Sequence, residues 1–127
     1  MSLSQTQEIT DARTVLETES AAIKLAAERL DANFVRAVEV LDVPDGKIVV
    51  AGLGKSGHVG RKITATFCST GSSAVFMHAA EAVHGDLGVH QSGDPTIFLS
   101  NSGSTSELLA LVPILRDRGS SLVGILG

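Results

Sequence analysis

Residues 47–57 read Lys47-Ile48-Val49-Val50-Ala51-Gly52-Leu53-Gly54-Lys55-Ser56-Gly57. A near-continuous apolar run from Lys47 to Leu53 is what a strand needs when both its faces are covered, as in a parallel sheet. Glycine follows at once. Gly52, Gly54 and Gly57 keep the G-x-G-x-x-G spacing, which lets a strand turn sharply into a helix and brings backbone N–H groups close to an anion. The stretch predicts a buried strand, a tight loop and a helix opening at Ser56 and running to about Thr70. Val59, Ile63 and Phe67 would form its apolar face, with Gly71 just past its end.

Working outward toward the C-terminus, Ala74 to His78 reads as a second strand, followed by an irregular stretch from Ala79 to Gly93. Pro95 to Ser100 is apolar but for Thr96 and Ser100 and predicts a third strand. Leu108, Leu109, Leu111, Val112 and Leu115 then recur at helical spacing, with Pro113 inside the helix and Gly119 ending it. Ser121 to Leu126 predicts a fourth strand. Toward the N-terminus, Met1 to Thr10 is a polar leader, and Thr10-Asp11 reads as the start of a helix carrying Val15, Leu16, Ala22, Ile23, Ala26 and Leu30. Asp31 and Asn33 break that pattern, and a second helix through Phe34, Ala37, Val38 and Leu41 ends before Pro44. The expected fold is α/β: a parallel sheet with flanking helices in a Rossmann-like three-layer sandwich, preceded by an N-terminal αα-hairpin.

The totals narrow the function. At 127 residues the chain suits one core and one domain. A net charge of −4, ten scattered Lys and Arg residues and 3% aromatic content give neither a basic stripe nor stacking platforms, so no nucleic-acid partner is expected. A lone Cys68, read as a buried small thiol, builds no disulfide framework and suits the cytoplasm. No run reaches the roughly 18 apolar residues a bilayer span requires, so no membrane partner is expected.

Three loops carry candidate chemistry. The glycine loop fits a dinucleotide fold only weakly, because a ribose-binding acid belongs at the end of the second strand and the nearest, Glu81, comes late. It is not a Walker A loop, since Val49 stands where the first glycine belongs. The second loop, Ser100-Asn101-Ser102-Gly103-Ser104-Thr105-Ser106-Glu107, sets hydroxyls and backbone N–H groups at the positive end of a helix, an arrangement that favours a phosphate. The plainer reading is a helix cap from Ser102 or Ser104, with Glu107 completing a capping box. The third, Ala79 to Gly88, places His84 beyond the carboxyl end of a strand, where it serves either as a proton carrier or as a surface or capping residue. His78, His84 and His90 are six residues apart, which is not a metal-ligand spacing, so no metal and no cofactor is expected.

Taken together, Gly54-Lys55-Ser56-Gly57-His58, Ala80 to Gly88 and Ser100-Asn101-Ser102-Gly103 with Glu107 resemble the sugar isomerase (SIS) domain family, in its arabinose 5-phosphate isomerase branch. The resemblance runs from about Ala12 to Gly127, and places the domain at 11–127. It implies interconversion of D-ribulose 5-phosphate and D-arabinose 5-phosphate through an enediolate, serving Kdo synthesis for lipopolysaccharide or capsule. Ser56, Ser100, Asn101, Ser102 and Thr105 would hold the phosphate; Glu107 would move the proton, Lys55 would stabilise the enediolate and His84 would assist ring opening or oxygen protonation. A homo-oligomer is implied as well. Family members continue with a further strand, closing helices and usually a pair of CBS domains, so the domain is expected to be incomplete at its C-terminus. Two other readings are a non-catalytic sugar-phosphate sensor or an inactive fragment of the isomerase.

Overall fold

The computed structural model describes residues 3–127, and it separates into two compact units, one up to Arg36 and one from Ala37 to Gly127. In the first unit, helix α1 spans Leu3–Glu28, beginning well before Thr10. Thr10 does not cap it. Its hydroxyl instead donates back to the Thr6 carbonyl at 2.9 Å, while Gln7 and Asp11 join side chains one turn apart at 2.7 Å. Most of the expected polar leader is therefore helical; Met1 and Ser2 lie outside the described residues. Helix α2, Ala32–Leu41, starts where the Asp31 carboxylate accepts the Asn33 N–H at 2.8 Å, the local turn that makes Asp a helix initiator.

The second unit holds a four-stranded parallel sheet in the order β2-β1-β3-β4. Its strands are β1 (Ile48–Gly52), β2 (Ala74–His78), β3 (Thr96–Ser100) and β4 (Leu122–Leu126). β1 and β3 are buried along their whole lengths because they lie between neighbours and between two helical layers. Their side chains alternate between two cores. Val49, Ala51 and Phe98 meet Ala79 and Ala82 of α4 (Ala79–Ala82) and Leu108, Leu111 and Leu115 of α5 (Ser106–Asp117). Ile48, Val50, Ile97 and Leu99 meet Leu41, Val43 and, from α3 (Gly54–Ser69), Ile63 and Phe67. β4 is an edge, with Ile125 and Leu126 exposed.

Some details differ from the pattern in the sequence. α3 opens at Gly54, two residues before Ser56, because Gly54 takes φ +57°, so the turn is finished before the serine. Val59 is exposed; Gly57 and Gly60 are the buried positions on α3, and a Cβ on Gly60 would stand 2.9 Å from the Phe76 ring. Helix packing against β2 is thus set by absent side chains rather than by a bulky one. Leu109 likewise points to solvent. Cys68 is exposed, not buried, with its thiol 3.4 Å from the Ala74 carbonyl at the last turn of α3. Pro113 sits inside α5 without ending it.

The amino end of the sheet is tied by a polar cluster that the sequence does not announce. Asp94 is almost fully buried, accepts N–H bonds from Lys47 (3.2 Å) and Gln91 (2.8 Å), and pairs with the Lys47 ammonium at 2.7 Å. Burial pushes the Asp94 carboxyl up, but the Lys47 ammonium, the two N–H donors and the lysine charge together hold it below the ordinary value of 3.8. A carboxylate whose folded pKa is depressed adds stability above its unfolded pKa and loses it as pH falls through the folded one. Asp94→Ala should therefore cost about 2–3 kcal/mol at pH 7, a difference that shrinks as urea titrations are repeated below pH 4. An equal cost at pH 7 and in acid would show that the charge is not what matters.

Candidate active site

The strand order reverses direction between β1 and β3, so the segments leaving their carboxyl ends diverge to opposite faces of the sheet. Such a switch point opens a crevice for ligands. The glycine loop and the serine loop leave from these two strands. In the first, Gly52 and Gly57 touch through their backbones: a Cβ on Gly52 would lie 3.3 Å from the Gly57 nitrogen, and one on Gly57 would lie 3.5 Å from the Gly52 carbonyl. Leu53 occupies the N-cap of α3 without any side-chain bond to its first N–H groups. Lys55 is exposed and Ser56 half-buried in that first turn.

The serine loop is braced from below. Buried Ser100 accepts the Gly103 N–H at 3.0 Å, and its hydroxyl lies 3.0 Å from that of Thr105. Gly103 takes φ +66°, the left-handed backbone that lets the chain fold back over Ser100. Ser102 accepts the Ser104 N–H at 3.2 Å and the Ser104 hydroxyl at 3.1 Å. The capping box does not form: Thr105 is the N-cap of α5, no side chain caps the helix, and Glu107 bonds elsewhere. Two helices, α3 and α5, thus reach the same end of the sheet with uncapped positive termini.

Glu107 stands in the first turn of α5. Its own backbone N–H, and then the Ser106 hydroxyl at 2.9 Å, hold its carboxyl below the ordinary value of 4.5, so it is ionised at neutral pH. His84 is exposed just beyond α4, its N–H donating to the Glu81 carbonyl at 2.9 Å; Glu81 itself lies in α4 and not at a strand end. α4 packs on Leu108 and Leu111 of α5, which brings the His84 segment to the same helix as Glu107. Lys55 and Glu107 stand in the first turns of α3 and α5 at this carboxyl end and His84 follows α4, and no hydrogen bond or ion pair joins any two of them among the described residues. Asn101 is turned toward Gly127, where a Cβ would run into its Oδ1. His78, at the end of β2 opposite Gly52, lies edge-on to Phe76 with its buried Nδ1 unpartnered among the described residues. No three His, Cys, Asp or Glu side chains among the described residues come together as a metal site.

The sequence matches the SIS domain family over residues 43–127. The chain belongs to that family. The chain is 49% identical over 100 residues to "Arabinose 5-phosphate isomerase GutQ" of Escherichia coli K12, covering 79% of this chain and 31% of that protein. It is 42% identical to "Arabinose 5-phosphate isomerase KdsD" of Pseudomonas aeruginosa over 100% of this chain and 39% of that one. The chain thus spans about a third of the length of these curated relatives. A solved structure of an E. coli CFT073 protein in complex with arabinose 5-phosphate superimposes with a TM-score of 0.90 at 38% identity, over 99% of this chain and 66% of that one.

Because Ser100 serves the loop's shape from inside the SIS domain, Ser100→Ala should leave the Gly103 N–H without its partner. Urea unfolding is expected to show a loss of about 1–2 kcal/mol. A change within about 0.3 kcal/mol, roughly the scatter of neutral surface substitutions, would mean that the loop holds its form without this hydroxyl.

Proposed function

We propose that the chain carries the active-site end of an isomerase that interconverts D-ribulose 5-phosphate and D-arabinose 5-phosphate. The observation behind this reading is an ionised carboxylate, Glu107, one helical turn inside a serine loop at the uncapped start of α5. The choice of substrate is supported by the relatives named as arabinose 5-phosphate isomerases and by the neighbour solved with arabinose 5-phosphate. Ser102, Thr105 and Asn101, with Ser56 from the facing loop, hold the phosphate, and Ser100 keeps the loop in shape. Binding energy spent on the phosphate then positions the reacting carbons.

In the aldose-to-ketose direction, Glu107 takes the proton from C2 as the carbonyl oxygen at C1 gains charge, giving an enediolate. Glu107 returns that proton to C1. The O2 hydroxyl proton moves to O1, a transfer assigned to His84, which also assists ring opening. Lys55 offsets the negative charge on the enediolate oxygen. No metal or cofactor enters this scheme. An exposed free thiol at Cys68 suits a reducing compartment, and we place the protein in the cytoplasm, where it supplies sugar for Kdo in lipopolysaccharide or capsule. No described helix is long and apolar enough to cross a membrane.

The test separates binding from chemistry in the protein at its natural full length. Glu107→Gln should lower kcat by about 10²–10⁴-fold while sugar-phosphate affinity is kept. Ser102→Ala should weaken affinity by about 1–3 kcal/mol, and chelator treatment should leave turnover unchanged. Turnover that survives Glu107→Gln would take the base role away from Glu107, sugar-phosphate binding without any turnover in the unsubstituted protein would favour a sensor, and loss on chelation reversed by zinc would bring in the histidines.

Leu16, Ile23 and Leu30 expose apolar surface at helical spacing on and just beyond α1, and we assign them to a seam between copies of the chain. Light scattering should report a dimer or tetramer, and Ile23→Asp should shift it toward monomer. A wild-type monomer at micromolar concentration would contradict this seam.

A further inference from the structure

The segment that carries His84 is held from behind by the far end of α5. After α4 the chain passes His84, Gly85 and a 3-10 turn, Asp86–Val89, then returns through Gln91-Ser92-Gly93 to the buried Asp94. Such a segment, with little regular hydrogen bonding of its own, takes its position from whatever it is tied to. Most of the ties come from residues 118–120. The Arg118 guanidinium donates to the carbonyls of Leu87 and His90, each at 3.2 Å. The Arg118 carbonyl accepts the Gly93 N–H at 3.1 Å and the Ser92 hydroxyl at 3.2 Å. Ser120 donates its hydroxyl to the Asp94 carbonyl at 2.6 Å, and that same carbonyl accepts Nε2–H of the buried His90 at 2.9 Å.

Of the ties made by residues 118–120, the guanidinium contacts reach the part of the segment nearest His84. Leu87 is three residues on, its side chain packs on the core beneath α5, and its carbonyl also accepts the His90 N–H that closes the 3-10 turn. One helix therefore presents Glu107 in its first turn and, at its C-cap, the group that fixes the loop bearing His84. A change of angle in α5 would move both together. Arg118 itself is exposed. Removing its head group leaves the Leu87 carbonyl with the His90 N–H it already accepts and takes a donor from the carbonyl of the buried His90.

We infer that Arg118 is a positioning residue for His84: through the Leu87 and His90 carbonyls it sets where the imidazole stands relative to the base on the same helix. This rests on the isomerase reading for its consequence in turnover, but the tie itself can be measured without it. An arginine suits the task because one terminal nitrogen of the planar guanidinium aims its N–H bonds at two carbonyls in a fixed plane; a lysine ammonium reaches the same oxygens with less directional control.

The test uses Arg118→Met, Arg118→Lys and His84→Ala, singly and combined, in the protein at its natural full length. Arg118→Met is expected to lower kcat about tenfold, as a misplaced catalytic group does, with KM for the sugar phosphate within about twofold, and Arg118→Lys to recover most of that loss. In the His84→Ala background, Arg118→Met should change kcat less than about twofold, since the group it positions is gone. A full tenfold loss in that background, or unchanged kcat in Arg118→Met alone, would overturn the inference. Hydrogen exchange supplies the reading that is independent of activity: the Gly85, Gly88 and His90 amides should exchange at least about tenfold faster in Arg118→Met, while β1 amides keep their rates. Unchanged exchange at those amides would overturn the tie. Were the natural protein to show no turnover at all, the isomerase reading would fail, and the exchange rates would still decide for or against the clamp.

Discussion

The contact on which the rest of the domain depends is the one between the backbones of Gly52 and Gly57. β1 is buried on both faces and has β2 and β3 on its two edges, so its path is fixed before any loop is considered. Where it ends, a helix must start at once, and the only room for it is the width of two glycines set 3.3–3.5 Å from one another's missing side chains. Gly54 at φ +57° makes the turn, and Gly60 lets α3 settle on Phe76. The outcome is a helix whose positive terminus faces the end of the sheet at a fixed angle. β3 repeats the scheme on the other face with hydroxyls in place of glycines, Ser100 supporting Gly103 and Thr105 from below.

The division of labour between the two ends of the sheet follows. At the carboxyl end, backbone N–H groups and hydroxyls are left without intrahelical partners, the arrangement that favours an anion. At the amino end most buried polar groups are answered, Asp94 by Lys47 and two N–H donors and the Asp94 carbonyl by His90 and Ser120, while the Nδ1 of His90 is left without a partner among the described residues. A buried pair of that kind is an anchor and costs stability if either partner goes. α5 bridges the two ends. Its first turn holds Glu107, and its last residues hold the segment returning from His84.

The sheet is legible in the sequence because its strands are apolar runs bounded by glycine, proline or serine, and a strand covered on both faces leaves no other pattern. The serine loop stands out because so many polar residues in succession exceed what a simple cap uses, and the glycine loop because its G-x-G-x-x-G spacing follows a buried strand. The failures share a cause. Val59 and Leu109 fit an apolar helical stripe, yet α3 reaches the sheet through Gly57, Gly60, Ile63 and Phe67 and α5 through Leu108, Leu111 and Leu115, so periodicity also takes in side chains that face water. Thr10 has the look of a cap but bonds backward within a helix already begun. The Asp94 cluster draws on Lys47 and Ser120, which only the topology brings to it, as well as on its near neighbours His90 and Gln91. Arg118 is invisible for the same reason, lying 31 residues from the Leu87 carbonyl it holds.

A single phosphate site built jointly by the glycine loop and the serine loop is what the functional reading rests on. It is tested most directly by titrating the isotopically labelled protein with arabinose 5-phosphate, and separately with inorganic phosphate, while following backbone amide resonances. Amides of Gly54 to Gly57 and of Asn101 to Glu107 are predicted to shift together with a single affinity, and inorganic phosphate to reproduce the larger part of the pattern, while Gln91 to Asp94 stay in place. Shifts confined to one loop, or two loops titrating with different affinities, would contradict it.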